Sequence, residues 1–242
     1  MDPTETIALA VIMPAYNQET TIEHVIDEWM DALSGLGVPF RLHVYNDGST
    51  DGTRALLDQL AGTHEALHIH HKVNAGHGPT ILQGYRDHAH ATWLFQVDSD
   101  DEVSAAHLEA FWHHRHGYDL VIANRRGRQA SASRKLLTWM ARSLIHTLYG
   151  GSVHDVNVPY RLMRAKAFAP CFSAIPAQYF APNLLITGYA ALQNLKTLDL
   201  DVPHRSCVTG AVTRSNGRIV KGSLLALGQT IAFRRTLRGH EP

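Results

Sequence analysis

The chain has 242 residues, 45% of them apolar, which suits one large domain with a sizeable core. Lys+Arg and Asp+Glu balance at 22 each, so no net field draws nucleic acid or marks an acidic tail. Two cysteines without a CxxC, Cys171 and Cys207, exclude a disulfide scaffold and a zinc knuckle.

In chain order, Ile7–Met13 is a short apolar run ending at Pro14, as in a buried strand. Thr20 and Thr21 are cap candidates for a helix with an apolar stripe at Ile22, Val25, Ile26, Trp29 and Met30. Phe40–Tyr45 predicts a second strand that breaks at NDGSTDGT, where Asp51 or Thr53 is placed to cap a helix through Leu56, Leu57 and Leu60. Ala66–His71 predicts a third strand, then NAGHGPT and a helix carrying Ile81, Leu82 and Tyr85. Trp93–Val97 predicts a fourth, running into DSDDE, and a helix at Ala105–His114 leads to a fifth strand in YDLVIANRR. The second half is less regular. Arg134–Tyr149 predicts a helix, GGSVHDVNVPYRLMRAKAF a loop entering a helix, Leu195–Val202 a late strand and 220–237 an amphipathic helix with a basic end.

This succession predicts an α/β fold with a mainly parallel sheet flanked by helices. In such sheets ligands bind beyond the carboxyl ends of the strands. The loops Pro14–Glu19, Asn46–Thr53, Asn74–Pro79, Asp98–Glu102 and Asn124–Arg128 all fall at that edge. No composition break divides the chain, so 1–242 reads as one domain.

Asp98, Ser99 and Asp100 form a D-x-D behind an apolar strand, with Asp101 and Glu102 directly after. Carboxylates this close repel, and a hard divalent cation relieves the repulsion while keeping sites for water and phosphate oxygens. Alone, the pattern is equally a solvated turn or helix cap.

VIMPAYNQETTI, VYNDGSTDGT, NAGHGPTILQGY and LFQVDSDDE together resemble the inverting family 2 glycosyltransferases of GT-A (Rossmann-like) fold, over about Ile7–Arg164. The segment IANRRGRQASASRKLL…VHDVNVPYRLMR is similar to the dolichyl- and polyprenyl-phosphate sugar transferase branch. The resemblance implies a nucleotide-sugar-binding half (1–125) and an acceptor-side half (126–242) with a helical C-terminal extension. It implies that Pro14, Ala15, Tyr16 and Asn17 cradle the base and ribose of a UDP- or GDP-sugar. Glu19 joins them, although the family's glutamate directly after the Asn is Gln18 here. Asp47 would contact the base, Asp98 the nucleotide or metal, and Asp100 the Mg²⁺ or Mn²⁺ ion. Asp51 reads as a helix cap, and Asp101 and Glu102 as a solvated helix N-terminus.

Arginine grips phosphate with two N–H groups at once, so Arg125, Arg126, Arg128 and Arg134 suit a diphosphate or an acceptor phosphate. The resemblance selects Arg125 and Arg134. Asp155 is the base candidate for a hydroxyl acceptor, with pairing to Arg161 or helix capping as the alternative. A phosphate acceptor is already ionised and needs positioning more than deprotonation. His204 and Arg205 match a basic stretch of the polyprenyl-phosphate branch, although VTGAVTRSNG departs from its further Arg and G-x-S-K.

The 17 histidines read mainly as surface or hydrogen-bonded residues. His68 and His70 share one strand face, opposite His71, without a Cys or carboxylate set beside them, and His77 lies in the loop facing the site. The acidic N-terminal stretch lacks a basic leader pattern and no apolar run reaches about 18 residues, so a cytoplasmic protein is expected. The basic C-terminal helix would either pack on the domain or touch the inner face of a membrane. The expected activity is sugar transfer to polyprenyl phosphate, with a soluble metabolite or glycan acceptor as the alternative. The rival classes are a nucleotidyltransferase, whose Gly-rich basic loop MPAYNQE lacks, and a non-catalytic nucleotide-sugar-binding module.

Overall fold

The computed structural model describes residues 7–126, 132–150, 157–203 and 216–238. The chain runs β1 (Leu9–Ala15), α1 (Ile22–Gly35), β2 (Phe40–Asp47), α2 (Thr53–Ala61), β3 (Leu67–Lys72), α3 (His77–Asp87) and β4 (Trp93–Gln96). A 3-10 turn at Ala105–His107 enters α4 (Leu108–His114), followed by β5 (Leu120–Arg126), α5 (Ala132–Tyr149), β6 (Arg161–Arg164), α6 (Ala165–Ala174), α7 (Pro182–Leu192), β7 (Thr197–Pro203) and α8 (Asn216–Arg238).

The strands form one seven-stranded sheet in the order β3-β2-β1-β4-β6-β5-β7. β1 is central, paired in parallel with β2 and β4, and every residue of it is buried. That is why LAVIMPA reads as an unbroken apolar run rather than an alternating one. The order reverses at β1, and in sheets of this kind the ligand crevice lies beyond the strand ends at that reversal, between the loops that follow β1 and β4. The expected mainly parallel sheet is observed.

One strand escaped the sequence reading. PYRLMR, read as a loop, supplies β6, which lies antiparallel between β4 and β5. Four residues are too short to show a period. The buried Arg161 guanidinium also breaks the apolar pattern, donating to the Val158 and Asn183 carbonyls. α7 was not read either: Pro182–Ala190 is buried throughout, so no polar stripe marked it as a helix.

The cap assignments shift slightly. Thr21 stands at the N-cap of α1, but its hydroxyl donates to Gln18 Oε1 (2.9 Å) instead of capping the helix. Gly52, not Asp51 or Thr53, stands at the N-cap of α2, and no side chain caps it. Asp51 instead closes the preceding turn by accepting from the Thr53 N–H (3.1 Å). α8 packs against α5 and α7 through Ala226, Thr230 and Phe233. Tyr149 donates to the Thr230 carbonyl and Arg234 to the Leu148 carbonyl, fixing α8 onto the end of α5. Leu224, Leu225 and Ile231 of α8 and Trp139 of α5 stay exposed. No described helix is long and apolar enough to cross a membrane.

Candidate active site

The β1–α1 loop and the β2–α2 loop are braced against each other at the crevice. Asn17, held at φ +54°, receives the Thr50 N–H on Oδ1 (2.8 Å) and gives its own N–H to Ser49 Oγ (3.0 Å). Gln18 N–H reaches Thr53 Oγ1 (2.7 Å), and Glu19 Oε2 accepts from the Gly52 N–H (2.7 Å). Asn17 and Glu19 therefore rigidify the wall of the crevice, while Tyr16 stands 47% exposed beside them. Pro14 and Ala15 end β1, and the Pro14 carbonyl accepts from Ser99 Oγ (2.8 Å). That bond ties the D-x-D turn to the first strand.

Asp47 is buried at the end of β2 with both oxygens engaged inside the chain. They accept from Lys72 Nζ (2.5 Å), the Ala75 N–H (2.8 Å) and the Gly76 N–H (2.8 Å). Burial alone would raise this carboxyl, but the Lys72 ammonium and the backbone donors outweigh it and hold it below the usual range. Asp47 thus shapes the Asn74–Gly76 loop. Gly48 sits at φ +70°, and a Cβ there would fall 2.8 Å from the Asn74 nitrogen, so only glycine fits the turn.

The acidic turn follows β4. Asp98 Oδ1 contacts His77 Nε2 (2.9 Å) and Gln96 Nε2 (3.1 Å). Gln96 is fully buried, and its Oε1 accepts from Asn183 Nδ2 (2.7 Å) and lies 2.8 Å from the Tyr85 hydroxyl. That hydroxyl also stands 2.9 Å from Asn183 Oδ1, so α3, β4 and α7 meet in one amide–phenol network beneath Asp98. In the sequence it shows only as a glutamine closing an apolar strand.

Asp100 is pushed up to about 7, first by burial, then by the neighbouring Asp98 and Glu102 carboxylates. Carboxylate oxygens are the hard ligands that Mg²⁺ or Mn²⁺ takes, and the repulsion around Asp100 is what such an ion would relieve. Asp101 lies in the left-handed region at φ +57°. Glu102 is not the solvated helix end expected of it: its Oε2 pairs with Arg125 Nη1 (2.9 Å), a guanidinium only 7% exposed. Arg125 therefore stands against the acidic turn. Arg134 is in the first turn of α5, its side chain outside the description, as is that of Arg126. Asp155, Arg128, His204 and Arg205 lie outside the described residues.

The fold is an α/β sheet flanked by helices with an acidic turn at its topological switch point, the place where ligands bind in such sheets. The sequence model of "Glycosyl transferase family 2" matches residues 10–172, and the chain belongs to that family. An uncharacterized glycosyltransferase of Synechocystis sp. is 28% identical over 66% of this chain and 51% of its own length. The undecaprenyl-phosphate 4-deoxy-4-formamido-L-arabinose transferase of Pectobacterium carotovorum is 26% identical over 81% of this chain and 59% of its own. The chain thus spans between about half and three-fifths of these relatives. Among solved structures, glucosyl-3-phosphoglycerate synthase from Mycobacterium tuberculosis, in complex with Mn²⁺ and UDP-glucose, superposes with a TM-score of 0.69. It is 19% identical, over 94% of this chain and 79% of that one.

Proposed function

We propose that the chain is a metal-dependent inverting glycosyltransferase that moves a sugar from a nucleotide-sugar donor to polyprenyl phosphate. The observation that carries this reading is the acidic turn at the β1/β4 crevice, with Asp100 pushed up to about 7 by burial and two neighbouring carboxylates. Asp98 and Asp100 would hold Mg²⁺ or Mn²⁺, which supplies positive charge where the departing diphosphate gains negative charge. Pro14–Asn17 would receive base and ribose, on a wall kept rigid by Asn17, Glu19 and the loop that Asp47 shapes. Gln96, itself held by Tyr85 and Asn183, fixes the Asp98 carboxylate. Arg125 and Arg134 would position phosphate, and Asp155 is the base where the acceptor is a hydroxyl.

The undecaprenyl-phosphate relatives support the lipid acceptor. Exposed Leu224, Leu225, Ile231 and Trp139 support peripheral contact with the inner face of a membrane. A soluble phosphorylated acceptor is the second reading, because solved neighbours of the same fold are described with phosphoglyceric acid. Purified protein with UDP- and GDP-sugars and Mn²⁺ should glycosylate polyprenyl phosphate in mixed micelles, with the anomeric configuration inverted. Transfer to phosphoglyceric acid alone would replace the lipid by the soluble acceptor. A retained configuration would remove the inverting mechanism.

A further inference from the structure

Away from the acidic turn, the sheet flank gathers imidazoles that the transfer chemistry does not use. In the parallel β2/β3 pair His43 stands opposite His68 and Tyr45 opposite His70, so all four project on one face. His71 points to the other face, between Asn46 and Asp58. α3 lies over the first face and ends there: His88, its C-cap, stacks on His43 with ring centroids 3.5 Å apart. HxH on β3 had shown no ligand partners in the sequence, because they come from β2 and from the far end of a helix.

We propose that His43, His70 and His88 form a second cation site, for a borderline divalent ion of the Zn²⁺ class, that staples edge strand β3 to β2 and α3. One ring nitrogen from each of the three lies within 4.8 Å of the others, and His43 Nδ1 is 3.1 Å from His70 Nε2. Tetrahedral zinc with three imidazoles spaces its nitrogens by about 3.3–3.4 Å, so His43 and His70 already stand near ligand spacing and His88 is the ring that must reorient. The donors are all nitrogen, which suits Zn²⁺, Co²⁺, Ni²⁺ or Cu²⁺ and disfavours the Mg²⁺ or Mn²⁺ of an oxygen site.

Two further observations point the same way. His68 Nε2, on the same face, is buried without a hydrogen-bond partner, an orphaned lone pair or N–H that an ion or its bound water would meet. The surroundings also resemble the outer shell that orients metal-bound imidazoles: the Tyr45 hydroxyl lies 3.1 Å from His88 Nε2 and donates to Asp87 Oδ2 (2.9 Å). Coordination requires His88 to turn out of its stack, since its ring plane is now 19° from that of His43. His88 sits just past the last helical turn and is only partly buried, so this is the ring with room to turn. The two cation sites are separate. His77, which touches Asp98, and His88 stand at opposite ends of α3, about 16 Å apart along the helix. β2 and β4 are separated in the sheet by β1.

Chelator-stripped full-length protein should bind one Zn²⁺ by titration calorimetry and unfold at a higher temperature with it. Co²⁺ in its place should give the visible absorption of a tetrahedral nitrogen site. His70→Gln and His88→Gln should each weaken Zn²⁺ at least tenfold, while His90→Gln, an exposed neighbour, and Asp100→Asn leave it unchanged. Circular dichroism and an intact thermal shift with UDP and Mn²⁺ would certify that the histidine variants fold. Zn²⁺ affinity unchanged in both histidine variants, lost in Asp100→Asn, or undetectable in the wild type would each overturn the site.

Discussion

The two ends of α3 reach two different crowds of titratable groups. At its first residue His77 meets Asp98, in a turn where carboxylates repel and one is driven toward neutrality. Just past its last residue the partly buried His88 stacks on His43, which burial first, and the neighbouring imidazoles next, keep uncharged. The acidic turn is a charged set short of positive charge, and so it fits a hard cation with oxygen ligands. The histidine face is a neutral set with lone pairs to offer, and so it fits a borderline one. Crowding alone does not name a ligand; the protonation state that burial leaves behind does.

The sharpest break between the regions is Asp100→Asn. It should leave the fold and the histidine face intact yet lower sugar transfer about a thousandfold, in the range seen when a principal electrostatic stabiliser is removed. Steady-state kinetics with radiolabelled donor would check it. Next, Lys72→Met leaves Asp47 buried without its cation, and should cost about 3–5 kcal/mol in urea unfolding. His70→Gln removes no cation from a buried carboxylate, so it should cost much less in the metal-free chain.

Acid should separate the regions in the opposite sense. His43 is lowered to about 2, first by burial and then by His88, His70, His68 and Arg41; Asp87 lies nearby, hydrogen-bonded to Tyr45. Its folded pKa is below the unfolded value near 6.5, so the unfolded chain binds the extra proton. That contribution is complete above about pH 6.5 and is lost steadily as pH falls toward 2. Thermal unfolding of the metal-free chain should therefore drop between pH 7 and 5, and His43→Phe should flatten the slope. Smallest is Gly84→Ala in α3, whose Cβ would lie 2.4 Å from Ile12 Cγ2. Forcing α3 off the sheet there should cost about 1–3 kcal/mol and weaken donor binding through His77 and the turn it touches.

The difference between the regions also explains what the sequence could reveal. The acidic turn was legible because Asp98–Glu102 is contiguous and sits at a strand end. The crevice wall was legible in the same way, through PAYN and NDGS. Nothing contiguous marks the network under Asp98, since Gln96, Tyr85 and Asn183 come from three elements. The histidine trio is scattered likewise over β2, β3 and the end of α3. β6 and α7 went unread for lack of a period, one being four residues long and the other buried almost all round. Asp47 was read as a contact to the base and Glu102 as part of a solvated helix N-terminus. Their partners Lys72 and Arg125 come from β3 and β5, too far along the chain for the sequence to pair them.

The central claim, that the acidic turn holds a cation against a nucleoside diphosphate, is tested most directly by thermal unfolding with UDP and GDP, each with and without Mn²⁺. Wild-type protein should gain stability only when one nucleotide and Mn²⁺ are present together, by about 2.7 kcal/mol at a hundred times Kd, and Asp100→Asn should lose that gain. An equal gain in Asp100→Asn, or none with either diphosphate in the presence of Mn²⁺, would contradict the claim.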